Sequence, residues 1–433
     1  MSVVVIFSSI AVFRYELAVV LPETHEKAAN VLAVCLLVAV FLACFALILP
    51  FLGHWLLGKS FHEELKIWLW AIPPFILFAG IYQAGLFWCT RTQEFGWYSL
   101  LQVVLPLLTV LSQITAALLG WKTAGGLIIG TIIGQFASAV LVGYLIYRKY
   151  GVLIAGSVRG PEVKEAFIRY KNYPLYMTPY TLVGTIRDRL VYFLLANFGG
   201  KAILGFYSLS ARLVNLPNSL VSSAIRPVFF QKAASTDFRT LEAPINSILH
   251  FLAIAIVPFW VLFLFHSTTL FAFIFGPAWQ DAGLYAAILS VPAIPLLLGN
   301  WLDRTFDALG RQRLAFTMEL CFSIATVIVL TLGMVIFKNV LLAVILQAVV
   351  LTIYYSFWLY ALFRVAGFNS LGLGKLLGTV FLTAFLSAAV AWIFIITLSS
   401  LYAIVVNAIF AFLAVGAYCL RQRKNLHFIG MAL

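Results

Sequence analysis

The chain has 433 residues, 63% of them hydrophobic and only 10% charged, with a mean hydropathy of +1.04. Those values exclude an ordinary soluble domain and make lipid part of the solvent. The formal charge of +13 would suit a nucleic-acid partner, but that charge is sorted by membrane side, which removes the class.

A helix needs roughly 20 apolar residues to cross the hydrocarbon core. Spans fit near 2–21, 28–50, 66–89, 98–120, 125–147, 174–198, 203–229, 246–270, 283–303, 314–336, 340–363, 375–397 and 400–420. The expected fold class is therefore all-α, a polytopic membrane protein of about 13 transmembrane helices. With the connection 148–173 on the cytoplasmic side and sides alternating from there, twenty of the 28 Lys and Arg residues face the cytoplasm, five face the other side and three lie within spans. This is the positive-inside bias, and it puts the C-terminus in the cytoplasm. The five cysteines, Cys35, Cys44, Cys89, Cys321 and Cys419, fall in or beside spans. There they behave as small apolar residues, with no disulfide framework or zinc spacing, and no cofactor is expected.

In chain order, the opening stretch reads as a span ending at RYELAVVLPETHEKAAN, where Arg14 and Glu16 snorkel to the interface. Gly53 to Ser60 matches G-x-x-x-x-G-K-[ST], the loop that cradles phosphate in nucleotide hydrolases. It lacks the strand-then-helix context that the chemistry needs and is set aside. A weak internal repeat relates Pro73 and Pro74 to Pro292 and Pro295, and Arg91 to Arg311, which suggests two related halves. Between them, Val163, Ala166, Phe167 and Tyr170 recur at helical spacing opposite Glu162, Lys164, Glu165, Arg169 and Lys171. That pattern predicts a short amphipathic helix at the cytoplasmic interface. The expected organisation is an N-terminal bundle over 1–147, a connector over 148–173, a C-terminal bundle over 174–363, and a terminal helix pair with a basic tail over 364–433.

The charges inside spans carry the functional signal. Arg187, Asp188 and Arg189 lie in one span and Arg212 in the next. Each ionised group near the bilayer centre costs about 2.5 to 3.5 kcal/mol on the insertion scale, so such groups normally face protein or water. Counted from the turn FGGKA, Asp188 and Arg212 lie at matching depths of roughly 15 Å. The consecutive residues 187 to 189 spread around their helix and should pair poorly with one another. If Asp188 neutralises one arginine, two positive charges remain, which suits a diphosphate held by planar guanidinium forks. The alternative is a structural ion pair beside an arginine that snorkels to a headgroup. Pro179, Gly184 and Pro217 should let both spans bend. Glu319 reads as an interfacial residue, with a coupling role as the alternative. Gln102, Gln113, Gln135, Asn215 and Asn300 read as interhelical hydrogen-bonding groups or as cavity lining. The six histidines are scattered and the outward loops are short, so no resident active site or metal centre is expected and the chain does not read as an enzyme.

RYELAVVLPETHEKAAN, IRDRLVYFLLANFGGKAILGFYSLSARLVNLP, FGPAWQDAGLYAAILSVP and ALGRQRLAFTMEL together resemble the lipopolysaccharide/O-antigen flippases of the multidrug, oligosaccharidyl-lipid and polysaccharide exporter superfamily. The resemblance runs along essentially the whole chain. It implies two six-helix bundles plus a terminal pair, with a central cavity, and it implies export of polyprenyl-diphosphate-linked oligosaccharide across a bacterial plasma membrane. Asp188 and Arg189 match the family's Asp-Arg pair and Arg212 its basic residue in a Gly-Leu-Tyr-like run, whereas Arg187 joins them on local charge alone. A glycan polymerase and a chain-length regulator are the protein neighbours implied. The family usually has one more amphipathic helix before the span that here begins at Met1, so the first family helix is expected to be absent. A cation-coupled drug antiporter on the same scaffold, or a membrane-embedded glycan polymerase or ligase, are the competing functions.

Overall fold

The computed structural model describes residues 10–51, 68–121 and 123–397, with Ile409 and Leu413. The loop match at 53–60 and nearly all of the span expected at 400–420 lie outside the described residues. No strand occurs among the described residues; the helices are α1 (His25–Ala46), α2 (Ile72–Arg91), α3 (Phe95–Leu118), α4 (Ala124–Ser157), α5 (Gly160–Arg169), α6 (Thr178–Leu194), α7 (Gly200–Val214), α8 (Leu216–Ser235), α9 (Phe238–Phe275), α10 (Gln280–Asn300), α11 (Thr305–Ala308), α12 (Gln312–Thr331), α13 (Val340–Ala366) and α14 (Ser370–Thr397). Among the described residues, ten helical runs are long and apolar enough to cross a membrane, and one of these, Tyr173–Val214, covers both the span expected at 174–198 and the start of the next. The protein is thus an all-helical, multi-pass membrane protein. It divides into two compact units, Met1–Thr185 with Gln312–Phe316, and Ile186–Arg311 with Thr317–Leu433.

The first unit is built on a core that includes Tyr15, Cys35, Trp88, Leu101, Val142 and Tyr173. Its start departs from the expectation of one regular span. Phe13 and Arg14 have positive φ, 47° and 62°, and Tyr15–Val20 forms a wholly buried 3-10 helix. Non-glycine residues held in that region typically cost of order 1 to 3 kcal/mol each, so the surrounding packing has to over-determine them. Glu16 is only 1% exposed and does not snorkel. Arg14 Nη1 donates to its Oε1 at 3.1 Å, and Arg14 Nε donates to Thr181 Oγ1 at 2.7 Å. Inside the protein the guanidinium satisfies one oxygen of the carboxylate, where an interface would have supplied water. At the far end of this short helix, Arg91 Nη1 donates to the Val20 carbonyl at 3.0 Å.

The expected amphipathic helix is α5. Ala166 is buried, the Phe167 ring stacks on Tyr15 with centroids 5.5 Å apart, and Asn30 Nδ2 donates to Glu162 Oε2 at 2.9 Å. Between α2 and α3, Glu94 accepts from Lys149 Nζ and from Tyr150 OH. The lysine's hydrogen bond holds the Glu94 carboxyl below the usual carboxylate range.

Glycines bring α3 and α4 together. Gly126, Gly130 and Gly134 recur every fourth residue, the small-residue spacing of close helix approach in membranes. A Cβ on Gly130 would lie 2.8 Å from the Gln113 backbone nitrogen, and one on Gly134 would lie 2.8 Å from Thr109 Cα. Gly134→Val should therefore cost ~1–3 kcal/mol through overpacking and lower the melting temperature of the purified protein. Gly143→Ala in the same helix, where a Cβ would meet nothing within 4 Å, should leave it unchanged.

In the second unit, α6 and α7 form a hairpin about Gly200, whose φ of 78° suits glycine. Tyr192 and Tyr207 meet edge-on across it at 5.7 Å, which sets the antiparallel register. The span expected at 203–229 is two helices, α7 and α8, joined at Asn215. Pro217 falls in the first turn of α8, where its missing N–H removes no helical hydrogen bond, so it starts a helix and does not interrupt one. Pro73 and Pro74 do the same for α2, whereas Pro292 and Pro295 lie inside α10. A polar seam joins α8 to α10, with Asn300 Nδ2 donating to Asn218 Oδ1 at 3.2 Å and to Ser222 Oγ at 3.1 Å.

Candidate functional site

Consecutive residues of an α-helix point about 100° apart, so Arg187, Asp188 and Arg189 leave α6 in three directions. Arg187 turns inward. Its Nη1 donates to Glu319 Oε1 at 2.6 Å and to Ser323 Oγ at 3.3 Å. Its side chain is 11% exposed and that of Glu319 5%. Glu319 also accepts from Ser323 Oγ at 3.1 Å and from Tyr354 OH. One carboxylate thus ties α6, α12 and α13 together.

Three sequence expectations change here. Glu319 is buried and not interfacial, because Arg187, Ser323 and Tyr354 supply the donors that water would have provided. Arg187 does pair with its chain neighbour: Nε donates to Asp188 Oδ1 at 3.1 Å and Nη2 lies 3.1 Å from the same oxygen. The long arginine side chain bends back across the 100° step, which a rule based on Cβ directions does not include. The charge balance also shifts. Two carboxylates converge on Arg187, so the cluster of three arginines and two acids carries a net charge of +1, and its cations outside any ion pair are Arg189 and Arg212. Both are exposed, and neither is in an ion pair among the described residues.

Asp188 is the most open of the acids, with its side chain 65% exposed. Tyr192 follows it by four residues and Arg189 by three, so all three share a side of α6. The Tyr192 phenol lies within electrostatic reach of Asp188, Arg189 and Arg212. The register between Tyr192 and Tyr207 puts Asp188 and Arg212 at corresponding heights, as the count from the turn predicts. Behind the pair, Tyr207 is fixed by Gln347, whose Nε2 donates to the phenol oxygen at 3.1 Å. Tyr192 was missed in the sequence because it reads as one more apolar-span aromatic, although its i+3 and i+4 spacing to Arg189 and Asp188 carried the signal.

The remaining polar candidates are absorbed by packing. Gln113 Nε2 donates to the Leu127 carbonyl and to Thr131 Oγ1, both at 3.2 Å. Gln102 bonds Tyr98 at 3.1 Å, Asn215 bonds the Ala211 carbonyl at 2.9 Å, and Gln135 is buried. No cluster of three or more His, Cys, Asp or Glu able to hold a metal occurs among the described residues. What the site offers chemically is two exposed guanidinium groups and a phenol on adjacent antiparallel helices. Guanidinium groups so placed are able to form charge-assisted hydrogen bonds to an oxyanion.

Comparison with known proteins agrees in class. Residues 2–283 match the profile of a family described as polysaccharide biosynthesis protein. Among solved structures, the chain resembles a mutant MATE protein at 14% identity, with 85% of this chain and 86% of that one covered and a TM-score of 0.66. It resembles the lipid II flippase MurJ in an inward closed conformation at 15% identity, with 98% and 90% covered and a TM-score of 0.61. A MOP superfamily transporter from Pyrococcus furiosus is similar at 14% identity, 84% and 85% coverage and a TM-score of 0.61. At these identities the likeness is one of fold, and the fold is that of transporters and flippases. No curated protein matches the sequence significantly.

Proposed function

Because the chain belongs to the polysaccharide biosynthesis protein family, we propose that it carries a polyprenyl-diphosphate-linked oligosaccharide from the cytoplasmic to the outer leaflet of a bacterial plasma membrane, for O-antigen, capsule or exopolysaccharide synthesis. The observation that carries this reading is the exposed pair Arg189 and Arg212, left positive after Arg187 has been neutralised by Glu319 and Asp188. Two guanidinium groups on neighbouring helices suit the bidentate geometry of a diphosphate. The lipid tail stays in the bilayer while the polar headgroup crosses, and access alternates between the leaflets. A glycan polymerase and a chain-length regulator are the protein partners this role calls for, on the far side of the membrane from the cytoplasmic C-terminus.

The MATE-like fold brings a drug or cation antiporter into view. A cationic substrate calls for uncompensated acids. In the charged cluster of the second unit, Arg187 engages both Glu319 and Asp188, and with Arg189 and Arg212 the cations outnumber the acids by one, which favours the anionic substrate. The test is reconstitution. Proteoliposomes holding a fluorescent polyprenyl-diphosphate N-acetylhexosamine should turn the headgroup over, as read by a membrane-impermeant quencher, while a phosphatidylcholine probe stays in place. Turnover no faster than in protein-free vesicles would overturn the proposal.

A further inference from the structure

We infer that Glu319 is a positioning residue for the anion site: it withholds Arg187 from substrate and, through that ion pair, fixes the face on which α6 presents Asp188, Arg189 and Tyr192. The inference rests on the diphosphate reading above and assigns the work within it. Arg187 looks from sequence like one more phosphate ligand, but its donors are already taken. Nη1 is directed at Glu319 and Ser323, and Nε and Nη2 at Asp188.

Glu319 is itself held on both oxygens. Oε1 receives Arg187 and Ser323, and Oε2 receives the Tyr354 hydroxyl. A carboxylate fixed in this way is a rigid anchor, and the anchored guanidinium sets the rotation of α6 about its axis. With Arg187 directed at α12 and α13, Arg189 points about 200° away, to the opposite side of the helix. Tyr192 and Asp188 follow on the intervening arc.

The place of the anchor adds a reason for it. Both helices it joins carry the chain from one compact unit to the other, α6 at Thr185–Ile186 and α12 at Phe316–Thr317. Arg187 and Glu319 stand two and three residues past those points. The ion pair supplies the lateral restraint that keeps α6 from turning. Asp188, bonded to Arg187 and 65% exposed, is held in the orientation in which it borders Arg189.

The experiment is a double-mutant cycle in the reconstituted full-length protein, with the polyprenyl-diphosphate N-acetylhexosamine as probe and apparent KM per reconstituted molecule as the readout. Arg187→Met alone leaves Glu319 buried without its cation, and Glu319→Leu alone leaves Arg187 held only by Asp188; each should raise KM about tenfold. Arg187→Met with Glu319→Leu replaces the pair by apolar groups of similar bulk. It should return KM to within about threefold of wild type. If that protein does not reconstitute, the charge swap R187E/E319R is used in its place with the same expectation. A compensated variant as impaired as Arg187→Met would show that Arg187 itself touches substrate and would overturn the inference, as would single variants with wild-type KM. Arg189→Gln runs alongside. If it too leaves KM unchanged, the diphosphate reading fails; if it raises KM while the compensated variant stays impaired, only the positioning role fails.

Discussion

Replacing Arg189 and Arg212 together with glutamine should abolish export of surface glycan while leaving a normal amount of folded protein in the membrane. A hydrogen bond to a charged partner contributes about 1.5 to 3 kcal/mol, so each single substitution should weaken substrate binding roughly 10- to 150-fold and the pair should multiply those losses. Stability should hardly change, because both side chains are exposed and no ion pair among the described residues is broken. Substitutions of that kind usually stay within about 0.5 kcal/mol of wild type. Surface-glycan immunoblots beside a membrane-fraction blot of the protein decide the matter. Full export by the double variant at normal levels would remove the cationic site from the account.

Arg14→Met should have the opposite signature, with loss of folded protein before any question of transport arises. Glu16 is 1% exposed and its Oε2 has no hydrogen-bond partner, so Arg14 is its chief compensation. Removing one member of a buried ion pair typically costs about 3 to 5 kcal/mol, because the other charge stays where water cannot reach it. Adding Glu16→Gln to Arg14→Met removes the stranded charge and should restore most of the folded yield in detergent, measured by size-exclusion chromatography and thermal denaturation. An Arg14→Met protein as stable as wild type would show that the carboxylate is compensated elsewhere.

Hydropathy made the membrane helices legible, because a run of about 20 apolar residues has few other uses. The depth match of Asp188 and Arg212 was legible as well, since it needs only the turn at Gly200 and a constant rise per residue. What periodicity could not show is which buried partner a charge selects. Glu319 lies 132 residues from Arg187, and sequence reports its sign and depth but not that α12 turns it toward α6. The break at Phe13 and Arg14 was hidden for another reason. Neither residue is a glycine or proline, so the left-handed backbone that buries Glu16 has no compositional mark. Pro217 was visible but misread, because a proline one residue into a new helix and a proline bending an old one look alike until the helix start is known.

The proposed function joins direction to substrate: a lipid-linked, diphosphate-bearing glycan is carried from the inner leaflet to the outer. The leaflet in which that glycan resides when the protein is removed from its cell decides between that function and a role after translocation. The glycan should accumulate in the inner leaflet, protected from a membrane-impermeant reagent or glycosidase applied outside, and complementation with the wild-type chain but not with Arg189→Gln/Arg212→Gln should release that protection. Accumulation in the outer leaflet, accessible to the reagent and unpolymerised, would contradict it and place the protein after translocation.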